Sequence, residues 1–445
     1  MALPSLDIGV SIDAAAASLH GRVAYKQHRT CTKSGTVTAA QDGGAGDGRG
    51  SAGAHNAPAN IAARYSGPPM RVLYDGVVFQ NAYQRGVQRV FRELLPRLAS
   101  GGVEPVLVLA DTARAELPAH PGVRVVGPPL KAAGLLPRKL RRSVRASASR
   151  PRLRRLADSC DLFHSTYFTL PPRPMKTVLH VHDMIVERYA EYFSDRKAGE
   201  EIARKRRAIE AADWFITISD ATARELEHFY PNARGRITTV HLGKEHLSVR
   251  RADSAERPPG TGDRPAVRYA LFVGDRALYK NFATVLDAMD CEQWPGQVAL
   301  VVVGAPFRGG EQFRVERLAS PPRNRTITLA GRVDDAELGR LYTNAACVIV
   351  PSRCEGFGFP VLEGQAAGAP VVCSDIPVFR EVCDGDSALF FPWHDPAALA
   401  RAVGAALEPA RRSALVSAAE VNLQRFGWDK CAAEVRAVYE RLIGA

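Results

Sequence analysis

The 445-residue sequence lacks several features that would assign it to a common class of protein. Its eight cysteines are scattered and no two form a Cys-x-x-Cys pair. This argues against a zinc site or a disulfide framework and is typical of a reducing cytoplasm. No stretch reaches about 18 consecutive apolar residues, so no membrane-spanning helix is predicted. The first residues carry no basic start followed by an apolar block, and we therefore expect no secretory signal.

Acidic residues are absent between Glu116 and Asp158, although the net charge of the whole chain is only +12. The stretch PRKLRRSVRASASRPRLRR holds nine arginines or lysines, and small or apolar residues recur every fourth position, at Leu136, Leu140, Val144 and Ala148. A basic amphipathic helix over residues 135–155 would suit an anionic membrane surface. Because no aromatic residue lies among these arginines to stack on a base, nucleic acid is not the predicted partner. A merely solvated helical face is the alternative that stays open.

Composition divides the chain into segments. Residues 1–69 are rich in Gly and Ala and predict a disordered extension, because they cannot build a core. Residues 250–268 are polar and rich in Pro and Gly, as a linker would be. We therefore expect two domains, at 70–249 and 269–425, followed by a C-terminal helix at 426–445.

Both predicted domains alternate short apolar runs with amphipathic helices. RVLYD, TVLHVHD and WFITIS are such runs in the first domain, and YALFVG, VALVVVG and CVIVPS in the second. Alternation of this kind predicts an α/β fold with two doubly wound, Rossmann-like parallel sheets. Ligands bind beyond the carboxyl ends of such strands, so the predicted site is a cleft between the two domains.

One strand-loop-helix unit, CVIVPSRCEGFGFPVLEGQAAG, carries two glutamates. Gly356 and Gly358 would let the backbone approach a ligand, and helix-start amides bind phosphate well. A dinucleotide site is disfavoured, because Val361 replaces the third glycine and Glu355 would repel a pyrophosphate. A carboxylate accepts two hydrogen bonds at once and so holds a vicinal diol. Glu355 and Glu363 therefore predict a nucleotide-sugar site, since such a molecule has a diol on each sugar and a diphosphate between them.

The Glu-x7-Glu unit resembles the signature of the retaining glycosyltransferases of family 4, which have the two-domain GT-B fold. FVGDRALYKN resembles the family's donor-phosphate segment, and GRVDDAELGRLYTNAACVIVPS its nucleotide-base segment. DLFHSTYFTLPP and TVLHVHDMI are similar to segments of the mannosyltransferase branch that assembles polysaccharide and O-antigen. RFGWDKCAAEVRAVYERL resembles the closing helix, which crosses back to the first domain. The resemblance covers residues 70–445.

The resemblance implies a role for each matching position. Catalytic roles fall on His182 near the anomeric carbon, Glu355 at the donor hexose, and Lys280 with Arg276 at the diphosphate. Donor-binding roles fall on Glu363 at the ribose diol, Gly86 near the phosphates, the loop residues Gly356, Phe357, Gly358 and Phe359, and Val333 and Asp335 near the base. Two positions depart from the family's pattern. Tyr279 stands where an arginine is common, which makes Arg276 the substitute cation. Gln88 stands where the first turn, often Gly-x-Gly, would have its second glycine.

These observations together predict a retaining hexosyltransferase that uses no metal and no other cofactor. Asp335 would accept from the N1 and N2 donors of guanine, which favours GDP-mannose as the donor. The expected acceptor is a saccharide, carried on a lipid at the cytoplasmic face of the membrane. Two alternatives stay open: a nucleotide-sugar hydrolase or epimerase on the same fold, and a non-catalytic basic adaptor at a membrane or nucleic acid.

Overall fold

The computed structural model describes residues 69–80, 85–111, 113, 115–127, 151–244, 268–305, 311–320 and 324–444. The predicted N-terminal extension, the linker and most of the basic segment at 135–155 lie outside these residues, so their predictions stay predictions.

The first sheet is parallel, with the strand order β3-β2-β1-β4-β5-β6-β7 among the described residues. Its strands are β1 (Met70–Asp75), β2 (Val103–Val108), β3 (Arg124–Val126), β4 (Leu162–Ser165), β5 (Thr177–Val181), β6 (Trp214–Thr217) and β7 (Ile237–Thr239). Its helices are α1 (Arg85–Ser100), α2 (Ile185–Arg188), α3 (Asp195–Ala211) and α4 (Asp220–Phe229), with 3₁₀ turns at Val77–Gln80, Ala190–Tyr192 and Pro231–Ala233. The strand order reverses between β1 and β4, which opens a crevice at their carboxyl ends.

The second sheet is also parallel, in the order β10-β9-β8-β11-β12-β13. Its strands are β8 (Tyr269–Val273), β9 (Ala299–Val303), β10 (Ile327–Gly331), β11 (Cys347–Val350), β12 (Val371–Ser374) and β13 (Leu389–Phe391). Its helices are α5 (Phe282–Asp290), α6 (Glu311–Ala319), α7 (Asp335–Thr343), α8 (Phe359–Ala366), α9 (Pro377–Val382), α10 (Pro396–Leu407) and α11 (Pro409–Leu423), with a 3₁₀ turn at Leu278–Lys280. Here the order reverses between β8 and β11.

Continuous apolar strands build both sheets, as the sequence predicted. Every residue of β5, β9 and β11 is buried, because helices cover both faces of a parallel sheet. The helix α1 turns its stripe of Val90, Phe91, Leu94, Leu95 and Leu98 into the core, where each is at most 1% exposed. The predicted fold class, two doubly wound sheets, is confirmed.

A last helix, α12 (Trp428–Gly444), returns to the first domain and packs on α1. The Tyr439 hydroxyl lies 2.6 Å from the Tyr74 hydroxyl on β1 and 2.5 Å from His164 Nδ1 on β4. Tyr439 is fully buried, so these bonds satisfy a hydroxyl that would otherwise be costly to bury. The predicted crossover helix is thereby confirmed. None of the helices that the structure describes is long and apolar enough to span a bilayer.

Candidate functional site

A cleft of about 660 Å³ lies where the carboxyl ends of the two sheets meet. Every predicted site residue except Arg276 lines it: Gly86, His182, Lys280, Val333, Asp335, Glu355, Gly356, Phe357, Gly358, Phe359 and Glu363. His182 directly follows β5, while Lys280 and Glu355 lie in the loops after β8 and β11. Parallel topology brings Lys280 and Glu355 to one edge of the second sheet, and the cleft brings that edge opposite the carboxyl end of β5 in the first sheet.

Lys280 and Glu355 form an ion pair inside the cleft. The lysine Nζ lies 2.5 Å from Glu355 Oε1, and the same oxygen accepts a 2.6 Å hydrogen bond from Ser352 Oγ. Burial by itself would lower the pKa of Lys280, but the Glu355 carboxylate raises it above the ordinary value. The lysine is therefore a fixed cation at neutral pH, and Glu355 is a carboxylate whose one oxygen is already oriented.

Glu363 is the fifth residue of α8, where it is 4% exposed. Its Oε2 accepts a 2.6 Å hydrogen bond from the buried Tyr342 hydroxyl on α7. Its Oε1 accepts a 2.9 Å hydrogen bond from Arg89 Nη1, which belongs to α1 of the other domain. Burial and the adjacent Glu363 carboxylate raise the pKa of Tyr342 well above its ordinary value, so its hydroxyl stays a donor to this carboxylate.

Arg89 also reaches Asp335, which sequence reasoning placed near the base. Its Nη2 lies 2.8 Å from Asp335 Oδ1, and Arg92 contributes a second cation at 3.4 Å from Oδ2. The sequence interpretation did not single out Arg89. One signal was present: α1 has arginines at its first and fifth residues, although the positive end of a helix dipole disfavours cations.

The loop at 356–359 contacts the first domain. The Gly356 carbonyl accepts hydrogen bonds from Ser219 Oγ at 2.7 Å and Thr222 Oγ1 at 3.1 Å. A Cβ at position 356 would collide with the His182 carbonyl oxygen, so only glycine permits this approach. Gly358 has a φ of +105°, a conformation that favours glycine, and it leads directly into α8.

The His182 side chain is held by a contact to the backbone of Thr166. Its Nε2 lies 3.2 Å from the Thr166 carbonyl oxygen, which can only accept, so Nε2 is the protonated nitrogen. Asp75, at the end of β1, accepts from the backbone N–H of Thr166 at 2.8 Å and from its hydroxyl at 2.7 Å. Burial lowers the pKa of His182 to about 4, opposed by Asp183 and by the hydrogen bond to Thr166. His182 is consequently a neutral imidazole at pH 7.

Arg276 takes a different position from the one the sequence suggested. Its guanidinium lies over the Phe282 ring, 5.9 Å from the ring centroid, and it does not line the cleft. The geometry therefore lends no support to Arg276 as the substitute cation. Within the part of the chain that the structure describes, no group of three or more His, Cys, Asp or Glu side chains is arranged to hold a metal ion.

Comparison with known families matches both halves of the chain. The family described as "Glycosyltransferase Family 4" matches residues 84–244, and "Glycosyl transferases group 1" matches residues 256–420. The D-inositol 3-phosphate glycosyltransferase of Acidothermus cellulolyticus is 32% identical over 250 residues, which are 54% of this chain and 56% of that protein. The chain thus matches little more than half the length of this relative. O-antigen chain mannosyltransferase B of Escherichia coli is 25% identical over 284 residues, 63% of this chain and 74% of that protein.

The fold is shared more widely than the sequence. The solved structure of sucrose-phosphate synthase from Thermosynechococcus elongatus has a TM-score of 0.65 at 19% identity, covering 84% of this chain and 99% of that one. Likeness at this identity concerns the fold alone. Two family models, one on each domain, together match most of the chain, and the two doubly wound sheets face one cleft. The chain therefore carries the two domains of a glycosyltransferase in the GT-B arrangement.

Proposed function

We propose that the protein transfers a hexose from a nucleotide sugar to a saccharide acceptor, with retention of the anomeric configuration. The observation that carries this proposal is the convergence of a partly buried cation, one partly buried and one buried carboxylate, and a glycine loop in a single interdomain cleft. The charged groups of the cleft are complementary to a molecule with two diols separated by a diphosphate.

Each group has a chemical role in this proposal. Lys280 and the backbone N–H groups of residues 356–359 stabilise the negative charge that grows on the departing diphosphate, which is expected to be the largest rate contribution. Glu355 holds hexose hydroxyls, with Lys280 and Ser352 fixing its orientation. Glu363 holds the ribose diol.

The reaction breaks the bond between the anomeric carbon and a diphosphate oxygen and forms one from that carbon to an acceptor oxygen. The acceptor's proton passes to an oxygen of the departing diphosphate on the same face, so no protein base is needed. His182 contributes a neutral hydrogen-bonding group rather than an acid, in keeping with its lowered pKa. We also propose that the reaction proceeds without a metal ion, with Lys280 supplying the positive charge.

The proposed donor is GDP-mannose. The relative named O-antigen chain mannosyltransferase B supports mannose as the sugar. Asp335 lines the cleft at the start of α7 and is half exposed, so its carboxylate is accessible to the N1 and N2 donors of guanine.

The proposed acceptor is a lipid-linked saccharide of a cell-surface polysaccharide, which would bring the protein to the cytoplasmic face of a membrane. The basic segment at 135–155 supports this through its charge and pattern. The described end of that segment adds one contact: Arg154 Nε donates to the Pro172 carbonyl at 3.4 Å, next to Leu170, whose exposed fraction is 52%. Arginine beside an exposed leucine suits an anionic lipid surface.

The test is a donor panel with the full chain: GDP-mannose, UDP-glucose, UDP-N-acetylglucosamine and UDP-galactose, with and without a chelator. We expect one donor to be turned over with retained configuration, with or without chelator. Lys280→Ala and Glu355→Gln should each lower kcat by a factor on the order of 10²–10³, the effect of removing one transition-state contact. Lys430→Ala and Glu434→Gln, which change an exposed pair on α12, are the matched controls and should behave as wild type.

The alternatives predict other results. Release of free sugar at the same rate with and without acceptor would indicate a hydrolase, and an isomeric nucleotide sugar would indicate an epimerase. If no donor is bound or turned over, or if Lys280→Ala and Glu355→Gln match wild type, the transferase proposal is wrong.

A further inference from the structure

Arg89 forms a link between the two domains at the point where the proposed ribose site lies. From α1 it donates 2.9 Å to Glu363 Oε1 and 2.8 Å to Asp335 Oδ1. Both members of the Arg89–Glu363 pair are largely buried, with side chains 16% and 4% exposed. An ion pair this buried is costly to break unless each partner finds a replacement.

This link competes with the proposed ribose contact. Glu363 directs Oε2 at Tyr342 and Oε1 at Arg89. A carboxylate grips a vicinal diol through both of its oxygens, so Oε1 must exchange its partner before the diol is held in full. Hydroxyl groups of the ribose would satisfy Glu363, and Arg89 would keep Asp335 at Nη2 while Nη1 becomes available to another anion.

The donor itself supplies that anion next to the ribose. Arg89 lines the same cleft as Lys280 and the 356–359 loop. It lies one turn after Gly86, where an added Cβ would be 4.0 Å from the Phe359 ring, so the start of α1 faces this loop. A guanidinium presents a planar fork that matches two phosphate oxygens, and it stays charged at any pH relevant to the protein.

We propose that Arg89 is a mobile donor-binding cation, which moves from Glu363 to the donor diphosphate when the ribose takes its place. In the ligand-free protein it keeps Glu363 paired and the domains linked. In the donor complex it is the second cation at the diphosphate, delivered by the first domain. The inference rests on the proposed function, which puts the ribose at Glu363 and the diphosphate near Lys280.

Two fragments of the donor test the two steps of the exchange separately: release of Glu363 to the ribose, and pairing of Arg89 with the diphosphate. A nucleoside carries the ribose without phosphate, and a nucleoside diphosphate carries both. We would measure the affinities of guanosine, GDP, uridine and UDP by ligand-observed NMR and calorimetry for wild type, Arg89→Ala and Arg89→Lys. Arg97→Ala, on the same helix but paired with the exposed Asp429 away from the cleft, is the matched control.

The expected result has opposite signs for the two fragments. Arg89→Ala should bind the nucleoside several-fold more tightly, because Glu363 no longer has to release a partner. It should bind the diphosphate about 10- to 100-fold more weakly, the loss of a hydrogen bond to a charged group. Arg89→Lys should fall between Ala and wild type for the diphosphate, and Arg97→Ala should match wild type for both.

Other outcomes overturn the proposal in distinguishable ways. Equal weakening of both fragments in Arg89→Ala would make Arg89 a structural support for Glu363. Unchanged affinities would make it a bystander. In both cases a wild type that still binds diphosphate leaves the proposed function standing. A wild type that binds none of the four ligands would overturn both proposals together.

Discussion

Three histidines stack inside the first sheet, directly below the cleft. The rings of His164 and His180 lie 5.5 Å apart between centroids, and those of His180 and His182 lie 4.7 Å apart. Burial lowers the pKa of His164 to about 3 and that of His182 to about 4, and it lowers the pKa of His180 well below its ordinary value. All three are neutral in the folded protein at pH 7.

This stack predicts sensitivity to acid. In the unfolded chain each histidine titrates near its ordinary value of about 6.5, so between that pH and about 4 the unfolded state binds more protons. The free energy of unfolding should therefore fall as pH falls through this window, with uptake of as many as three protons. Chemical denaturation followed at a series of pH values measures the slope.

Two variants test whether the buried histidines cause this dependence of the free energy of unfolding on pH. Neither ring nitrogen of the buried His180 has a hydrogen-bond partner among the described residues, so His180→Phe should keep or raise stability at pH 7 and make the pH dependence shallower. His228→Gln changes an exposed histidine and should leave the slope unchanged. An identical slope in His180→Phe and wild type would contradict this account.

At the scale of elements, the loop from Gly356 to Phe359 is a part of the second domain that contacts the first domain closely. Its Gly356 carbonyl accepts from two hydroxyl groups at the start of α4, and its backbone passes beside the His182 carbonyl. The loop therefore sets the distance between His182 and the start of α8.

Gly356→Ala should displace this loop, because the added methyl group has no space beside the His182 carbonyl. We expect a loss of about 10²-fold in kcat/KM, the effect of misplacing a catalytic group by about 1 Å. Steady-state kinetics with the donor that the panel experiment selects would measure this loss. Gly199→Ala adds the same methyl group on α3, at a position that has open space within 4 Å in the described part of the chain, and it should retain full activity. Wild-type kinetics for Gly356→Ala would show that the loop position does not matter.

At the scale of the whole molecule, Glu381 joins the two domains outside the cleft. It belongs to α9 of the second domain, and its carboxylate accepts from the backbone N–H groups of Asp220 at 2.6 Å and Ala221 at 2.9 Å, at the start of α4. His241 Nε2 lies 2.8 Å from the same carboxylate. Burial opposes ionisation of Glu381, yet these hydrogen bonds hold its pKa below the ordinary value.

Glu381→Gln should weaken the interface between the domains by about 1–3 kcal/mol, because a neutral amide replaces a carboxylate that accepts three hydrogen bonds. Because the pKa of Glu381 is lower in the folded than in the unfolded state, its carboxylate stabilises the folded protein at pH values above the unfolded-state pKa. This stabilisation is lost as the pH falls through the folded-state pKa. Calorimetry at pH 7 should show a lower Tm or a second transition, and the difference from wild type should shrink in acid. Glu200→Gln, an exposed carboxylate on α3, should change stability by less than about 0.5 kcal/mol. An unchanged Glu381→Gln would mean that other contacts hold the domains.

The sequence was informative wherever a property is local. Apolar runs such as VALVVVG predicted parallel strands, and the ends of those strands predicted which loops would meet, so Lys280, Glu355 and His182 were expected in one cleft between the two domains. The sequence predicted Glu363 in the first turn of a helix, but it is the fifth residue of α8, whose first turn holds no acidic residue, because the helix already begins at Phe359. Strand order does not specify the direction in which a loop arginine reaches, and the Arg276 guanidinium lies over the Phe282 ring, apart from the residues that line the cleft. Its role at the diphosphate stays a prediction.

What the sequence by itself determined is the α/β class, the two doubly wound sheets and the segments that meet at their carboxyl ends, since these follow from periodicity and from the geometry of parallel strands. Only the tertiary structure decided which charges face each other across the cleft. Arg89 meets Glu363 over 274 residues of chain and Asp335 over 246, and Tyr439 meets Tyr74 over 365. Pairings at such separations depend on how two domains dock, and no local pattern of residues encodes the side-chain directions that docking brings together.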